Sequence, residues 1–140
     1  MNNPLNAYRQ TRVKTAGQGK LIVMLYDEGI RQLDLSLSEL DKREDQDLEK
    51  VHRAVIKAQD IITELTVSLD FEKGNDIAEN LFSLYMFFNQ QLLDANIRKD
   101  RDAIKGVHSM MGDLREAWVA IEGKTVQMSG QTAGGVNIAG

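Results

Sequence analysis

Ile77-Ala-Glu-Asn-Leu-Phe-Ser-Leu-Tyr-Met-Phe-Phe-Asn-Gln-Gln-Leu-Leu-Asp-Ala-Asn-Ile97 carries more apolar side chain than an ordinary surface helix can hide. At a helical step of about 100° per residue, Ile77, Leu81, Leu84, Phe88, Leu92 and Ala95 share one face and are expected to bury against other helices. Ala78, Phe82, Met86, Leu93 and Ile97 form a second stripe a quarter to a half turn away, and Phe87 points elsewhere again. A helix with two apolar faces either sits at the centre of a larger core, which 140 residues scarcely wrap and which Leu5, Tyr8 and Val13 would help to cover, or offers one face to something outside the chain.

Three further helices are expected around this one. From about Lys20 to Asp41, Ile22, Tyr26, Gly29, Leu33, Leu37 and Leu40 recur at steps of three and four. Gly29 in mid-helix costs about 1 kcal/mol against alanine, which points to close approach of a neighbour. Leu21, Met24 and Leu35 lie off that stripe and are assigned to a docking surface for the N-terminal segment. Leu48, Val51, Val55, Ala58, Ile62, Leu65 and Leu69 follow the 3.5-residue period of near-parallel bundle packing. Ile56 and Val67 fall on the opposite side, where they are expected to border a groove with the second stripe of the third helix. Phe71 to Asp76 reads as a helix-helix turn, with Gly74 ending one helix and Asn75 or Asp76 capping the next. Ile104, Val107, Met111, Leu114, Trp118 and Ile121 mark the fourth helix.

The expected fold is therefore all-α, an antiparallel up-down-up-down four-helix bundle over residues 17–122. Residues 1–16 form a short, displaceable N-terminal cap carrying Leu5, Tyr8 and Val13. Residues 123–140 are aperiodic and glycine-rich and are expected to be a disordered tail. No cysteine is present, which removes disulfides, thiolate-bound zinc and thiol catalysis. No apolar run suits a membrane helix and the start does not read as a signal peptide, so a cytoplasmic protein without membrane insertion is expected.

Net charge is −4, but residues 1–20 hold four bases and no acid, leaving 13 bases against 21 acids elsewhere. Interleaved charges of this kind read as solvated helix faces and exclude a nucleic-acid stripe. Glu49 and His52 are one Glu-x-x-His pair, short of the set a di-metal bundle needs. His108 followed by Gly112 resembles a phosphotransfer histidine, except that Met111 stands where a phosphate-neutralising lysine belongs. Neither metal, cofactor nor enzymatic activity is expected. Two other readings remain open, phosphotransfer at His108 and a bundle that associates with itself.

Separate blocks in one order carry a family resemblance: Ala7-Tyr8, Val13-Lys-Thr-Ala16, Leu21-Ile-Val-Met-Leu-Tyr-Asp-Glu-Gly29, Lys57-Ala-Gln-Asp-Ile-Ile62 with Leu65, Ser68-Leu-Asp-Phe-Glu-Lys-Gly74, Ile77-Ala78 with Asn80-Leu81 and Leu84-Tyr85, and Leu114-Arg-Glu-Ala-Trp118. Together they resemble the FliS flagellar secretion chaperone family from Tyr8 to Trp118. The resemblance implies a cytoplasmic four-helix bundle that binds the unfolded C-terminal segment of flagellin in apolar grooves. It would prevent premature polymerisation and deliver flagellin to the flagellar type III export apparatus, as a monomer or weak homodimer. By position, Tyr8 and Val13 carry over as a movable cap and Leu21, Leu25, Tyr26 and Gly29 as the block beneath it. The groove residues Ile56, Val67, Phe82, Met86 and Leu93 come from the helical wheel alone. Gly17-Gln-Gly19 departs from the family's serine and proline at that point, loosening the start of the first helix.

Overall fold

The computed structural model describes the backbone of residues 18–133 and the side chains of 18–72 and 76–123. The expectations for Tyr8 and Val13 lie outside the described residues. Four helices follow one another: α1 Gln18–Leu40, α2 Leu48–Val67, α3 Phe71–Arg98 and α4 Arg101–Ala133. Each packs on its neighbour in a closed ring, α1 on α2 and α4, and α3 on α2 and α4. Side-chain pairs fix the directions. Asp41, just past the end of α1, and Asp34 and Asp27 on α1 meet Arg101, His108 and Arg115 on α4. One series descends by seven residues as the other climbs by seven, so the two helices are antiparallel and keep a constant face toward each other over four turns. Across α2 and α3, His52 meets Asn96 and Gln59 meets Asn89, again antiparallel at a step of seven.

Short connectors are held by local hydrogen bonds. Asp47 caps α2, its Oδ1 accepting from Lys50 N at 3.1 Å, and Asp100 caps α4 by accepting from Ala103 N at 3.1 Å. Glu39, almost fully buried, accepts from Asp47 N at 2.9 Å and pairs with Lys42 at 2.9 Å. The Asp47 amide, then Lys42, hold its carboxyl below the usual carboxylate range. The α2–α3 connection differs from expectation. Residues 71–76 are helical rather than a turn, and the reversal occurs at Ser68, Leu69 and Asp70. Asp70 Oδ1 accepts from Glu72 N at 3.0 Å, satisfying an N-terminal amide there, so neither Gly74 as helix end nor Asn75 or Asp76 as cap is needed. At the other end, α4 continues to Ala133, past Gly123 where the sequence pattern ended it. No proline interrupts that stretch, so the backbone ladder runs on without an apolar stripe.

The core is built from Leu21, Leu25, Tyr26 and Leu33 of α1, Val51, Val55, Ala58, Ile61, Ile62 and Leu65 of α2, Tyr85, Phe88, Leu92 and Ala95 of α3, and Ile104, Val107 and Met111 of α4. Leu21 is thus core rather than a docking surface, while Leu35 is exposed. The buried face of α3 is turned by roughly 40° from the expected one on a wheel of 100° per residue. Ala78 and Tyr85 face inward, Leu81 and Leu84 are half-buried, and Ile77 is 69% exposed. The cause is Tyr85, whose hydroxyl reaches Tyr26 Oη at 2.6 Å inside the core, satisfying two buried polar atoms at once. Leu48 and Ile121 are exposed near the ends of their stripes, whereas Ala54 and Ile61 join the core on the side facing α1.

Gly29 explains why Ile61 is recruited. A Cβ at Gly29 would lie 2.9 Å from Met111 Cε and 3.1 Å from Ile61 Cγ2, so the missing side chain lets α1 approach both α2 and α4. Gly29→Val is expected to cost about 1–3 kcal/mol by overpacking, read as a lower urea midpoint at unchanged slope. Burial raises both phenols above the ordinary value of 10.0, and in Tyr26 repulsion from Tyr85 adds to it, while Trp118 acts in the opposite sense. Because the folded state favours neutral phenols, their contribution is intact below pH 10 and is lost as pH rises through the raised folded values. Tyr26→Phe and Tyr85→Phe should each cost about 1–2 kcal/mol, with the double variant costing less than the sum. The double variant should also lose less stability above pH 10 than the parent, measured by urea unfolding across the alkaline range.

Candidate functional site

Between α2 and α3 runs an open groove of about 370 Å³, lined by Ile56, Gln59, Asp60 and Thr63 from one helix and Met86, Asn89, Gln90 and Leu93 from the other. It exists because the two helices present different chemistry from their neighbours. Where α1 meets α2 and α4, apolar residues interlock around Gly29. Where α2 meets α3, much of the outer seam is polar. Gln59 Nε2 donates to the Asn89 carbonyl oxygen at 3.2 Å, Asn89 Nδ2 to Thr63 Oγ1 at 3.4 Å, and Asn96 Nδ2 pairs with His52 Nδ1 at 3.0 Å. These amide and hydroxyl groups lie between apolar rims on the two helices.

The rims are Ile56 on α2 and Met86 and Leu93 on α3, all exposed, with Met86 and Leu93 near half of their surface in solvent. Phe82 sits one turn before Met86 and Ile97 one turn after Leu93, both exposed, so the apolar edge of α3 extends over about 22 Å at 1.5 Å per residue. Phe71 stands edge-on to Phe82, ring centroids 6.1 Å apart. Val67, one turn beyond Thr63, continues the α2 side and is 63% exposed. The five groove residues named from the wheel are therefore all solvent-facing, and three of them line the groove itself. Gln59, Asp60, Thr63, Asn89 and Gln90 were missed, because a search for apolar periodicity passes over the polar residues between the stripes.

The other sequence candidates are placed differently. Leu21, Leu25, Tyr26 and Gly29 are buried in the bundle, so in this conformation they do not meet a partner directly. His52 is hydrogen-bonded to Asn96 and Glu49 pairs with Arg53 at 3.3 Å. Among the described residues no group of three or more His, Asp or Glu is arranged for a metal. His108 is largely covered. Its Nε2 lies 2.6 Å from Asp34 Oδ1, and its Nδ1 is buried without a hydrogen-bond partner. A carboxylate against the nitrogen that would accept a phosphoryl group repels it, and the other nitrogen is sealed, so the geometry disfavours phosphotransfer. A second hollow, about 530 Å³, lies between the end of α1 and the start of α4 among Asp34, Leu37, Ser38, Asp41, Lys42, Arg101 and Lys105. Its charges of both signs include the Asp41–Arg101 ion pair. No helix among the described residues is long and apolar enough to cross a membrane.

Residues 1–125 match the sequence model of the family described as "Flagellar protein FliS". Similar proteins include the flagellar secretion chaperone FliS of Salmonella typhimurium, 36% identical over 125 residues covering 86% of this chain and 90% of that protein. The FliS of Bacillus subtilis is 31% identical over 118 residues, 84% of this chain and 85% of its own length. The FliS of Campylobacter jejuni is 35% identical over 117 residues, 84% and 89% of the two chains. These relatives are named as chaperones rather than enzymes, and they share nearly the whole length in which the four helices and the α2–α3 groove are found. The chain belongs to the FliS family of flagellar secretion chaperones.

Proposed function

We propose that this protein is a cytoplasmic, flagellin-specific export chaperone that holds the disordered C-terminal region of flagellin, keeps it from polymerising prematurely and hands it to the flagellar type III export apparatus. It works without catalysis. The observation that carries this reading is the solvent-facing apolar edge formed by Ile56, Val67, Phe82, Met86 and Leu93 beside a ready-made groove. Amphipathic helices bind by laying an apolar face into such a channel, and Met86 adapts its shape to the occupant. Covering the stripe by which flagellin segments would assemble competes with that assembly by mass action. Ordering a disordered segment costs about 2–5 kcal/mol. At about 25 cal/mol per Å², burial of roughly 200 Å² of apolar surface offsets the upper figure.

In this reading Tyr8 and Val13 belong to a displaceable N-terminal cap. Leu21, Leu25, Tyr26 and Gly29 serve as the buried support of α1 rather than as direct contacts. The protein acts as a monomer or weak homodimer, and release requires only that the export apparatus hold the freed segment.

Calorimetric titration with a peptide of the last ~45 residues of the cognate flagellin, a length that leaves room for more than one amphipathic helix, tests this. Saturable binding with a negative heat-capacity change is expected, weakened at least about tenfold, or 1.4 kcal/mol, by Phe82→Glu. The helical circular dichroism of that variant should match the parent's, since Phe82 is exposed. Absence of binding by the parent overturns the chaperone reading. Binding indifferent to Phe82→Glu moves the site away from α3.

A further inference from the structure

The polar lining of the α2–α3 groove carries information about its occupant that the apolar rims do not. Asn89 is the central residue. Its Nδ2 donates to Thr63 Oγ1, and Thr63 in turn donates its single hydroxyl proton to the Gln59 carbonyl oxygen at 3.0 Å. With that proton engaged, Thr63 offers Asn89 only an acceptor, which fixes the orientation of the amide. The Asn89 oxygen is then left buried with no hydrogen-bond partner. Leaving such an acceptor unpaired is unfavourable, and apolar side chains at this position would avoid it. The bond restraining the amide is long, 3.4 Å, so little resists its swing outward into the groove that Asn89 lines.

Asp60 adds a second feature of the same sense. It is the one ionised side chain among the eight that line the groove, and it makes no ion pair with any described residue. The groove thus offers a buried acceptor and a free negative charge between apolar rims. Met86 and Leu93 are seven residues apart, the two-turn repeat that a docked helix matches with its own positions i and i+7.

We propose that the groove selects a helical segment with one apolar stripe, a hydrogen-bond donor set within that stripe opposite Asn89, and a lysine or arginine flanking it opposite Asp60. The inference rests on the reading of this groove as the seat of an export substrate's helix and adds which helices it accepts. Apolar contact supplies the affinity. The Asn89 acceptor and the Asp60 charge supply the discrimination, because an all-apolar helix leaves Asn89 unpaired and an acidic flank meets Asp60 with like charge.

Four labelled synthetic helical peptides of about 18 residues, long enough for the ~22 Å edge, test the proposal with the full chain by fluorescence anisotropy at low and high salt. They differ only in a central stripe residue, glutamine or leucine, and in a flanking residue, lysine or glutamate. The glutamine-lysine peptide should bind about tenfold tighter than the leucine-glutamate peptide. Asp60→Asn should remove the lysine preference and flatten the salt dependence. Asn89→Leu should reverse the preference to leucine, and circular dichroism verifies that both variants fold. Equal affinities for the four peptides, no saturable binding of any, or preferences unchanged in both variants would overturn the proposal. The flagellin peptide, run in parallel, separates the two readings. If it binds and responds to Phe82→Glu but not to Asn89→Leu or Asp60→Asn, the chaperone function stands and this inference fails. If the synthetic helices are discriminated while flagellin does not bind, the selectivity stands and the flagellin assignment fails.

Discussion

The close approach of α1 to its two neighbours at Gly29 sets the rest of the bundle. With no side chain there, Ile61 of α2 and Met111 of α4 come into contact range of the α1 backbone, and the apolar residues above and below close into one core. Two helices packed this tightly on α1 leave α3 to fill the remaining side. It reaches α1 across the core mainly through the Tyr26–Tyr85 hydroxyl bond and the aromatic ring contact that accompanies it. That bond turns α3 about its axis, which places Phe88 and Leu92 inside and the Phe82, Met86, Leu93 edge outside.

The two outer seams then take on different characters. Along α1 and α4, three acid-base pairs spaced by seven residues hold a fixed register. Exposed pairs of this kind are each worth little in stability, but with every acid on the α1 side and every base on α4 they match one helix face to the other. Along α2 and α3, amide and imidazole groups bridge the helices at a few points and the apolar residues face out beside them. One seam is finished within the chain. The other is left with an exposed apolar edge beside an open groove.

Much of this was legible in the sequence. The steps of three and four gave four helices, and the short connections made neighbours antiparallel. Val51, Val55, Ala58, Ile62 and Leu65 needed only their period to be placed in the core. The second stripe on α3 was visible as apolar residues in excess of one face. The errors come from reading residue type along one helix without its neighbours. Tyr85 was left off the core face because it falls between the two apolar stripes of α3, and with it went the rotation that exposes Ile77. The turn was placed at Gly74-Asn75-Asp76 because glycine and asparagine favour turns, yet Asp70 satisfies the first amides of α3 and the helix starts earlier. Asn89 and Asp60 drew no attention as polar residues between apolar ones.

By itself the sequence determined the number of helices, their amphipathic faces, the need for close approach at Gly29 and the family to which the chain belongs, because these are properties of spacing and residue type along one helix or of blocks in order. Only the tertiary structure decided how far α3 is rotated, which residues of α2 oppose which of α3, and that an amide oxygen in the groove lacks a partner. Those depend on distances between atoms far apart in the chain, and a hydrogen bond such as Tyr26–Tyr85, 59 residues apart in sequence, leaves no local pattern by which to read it.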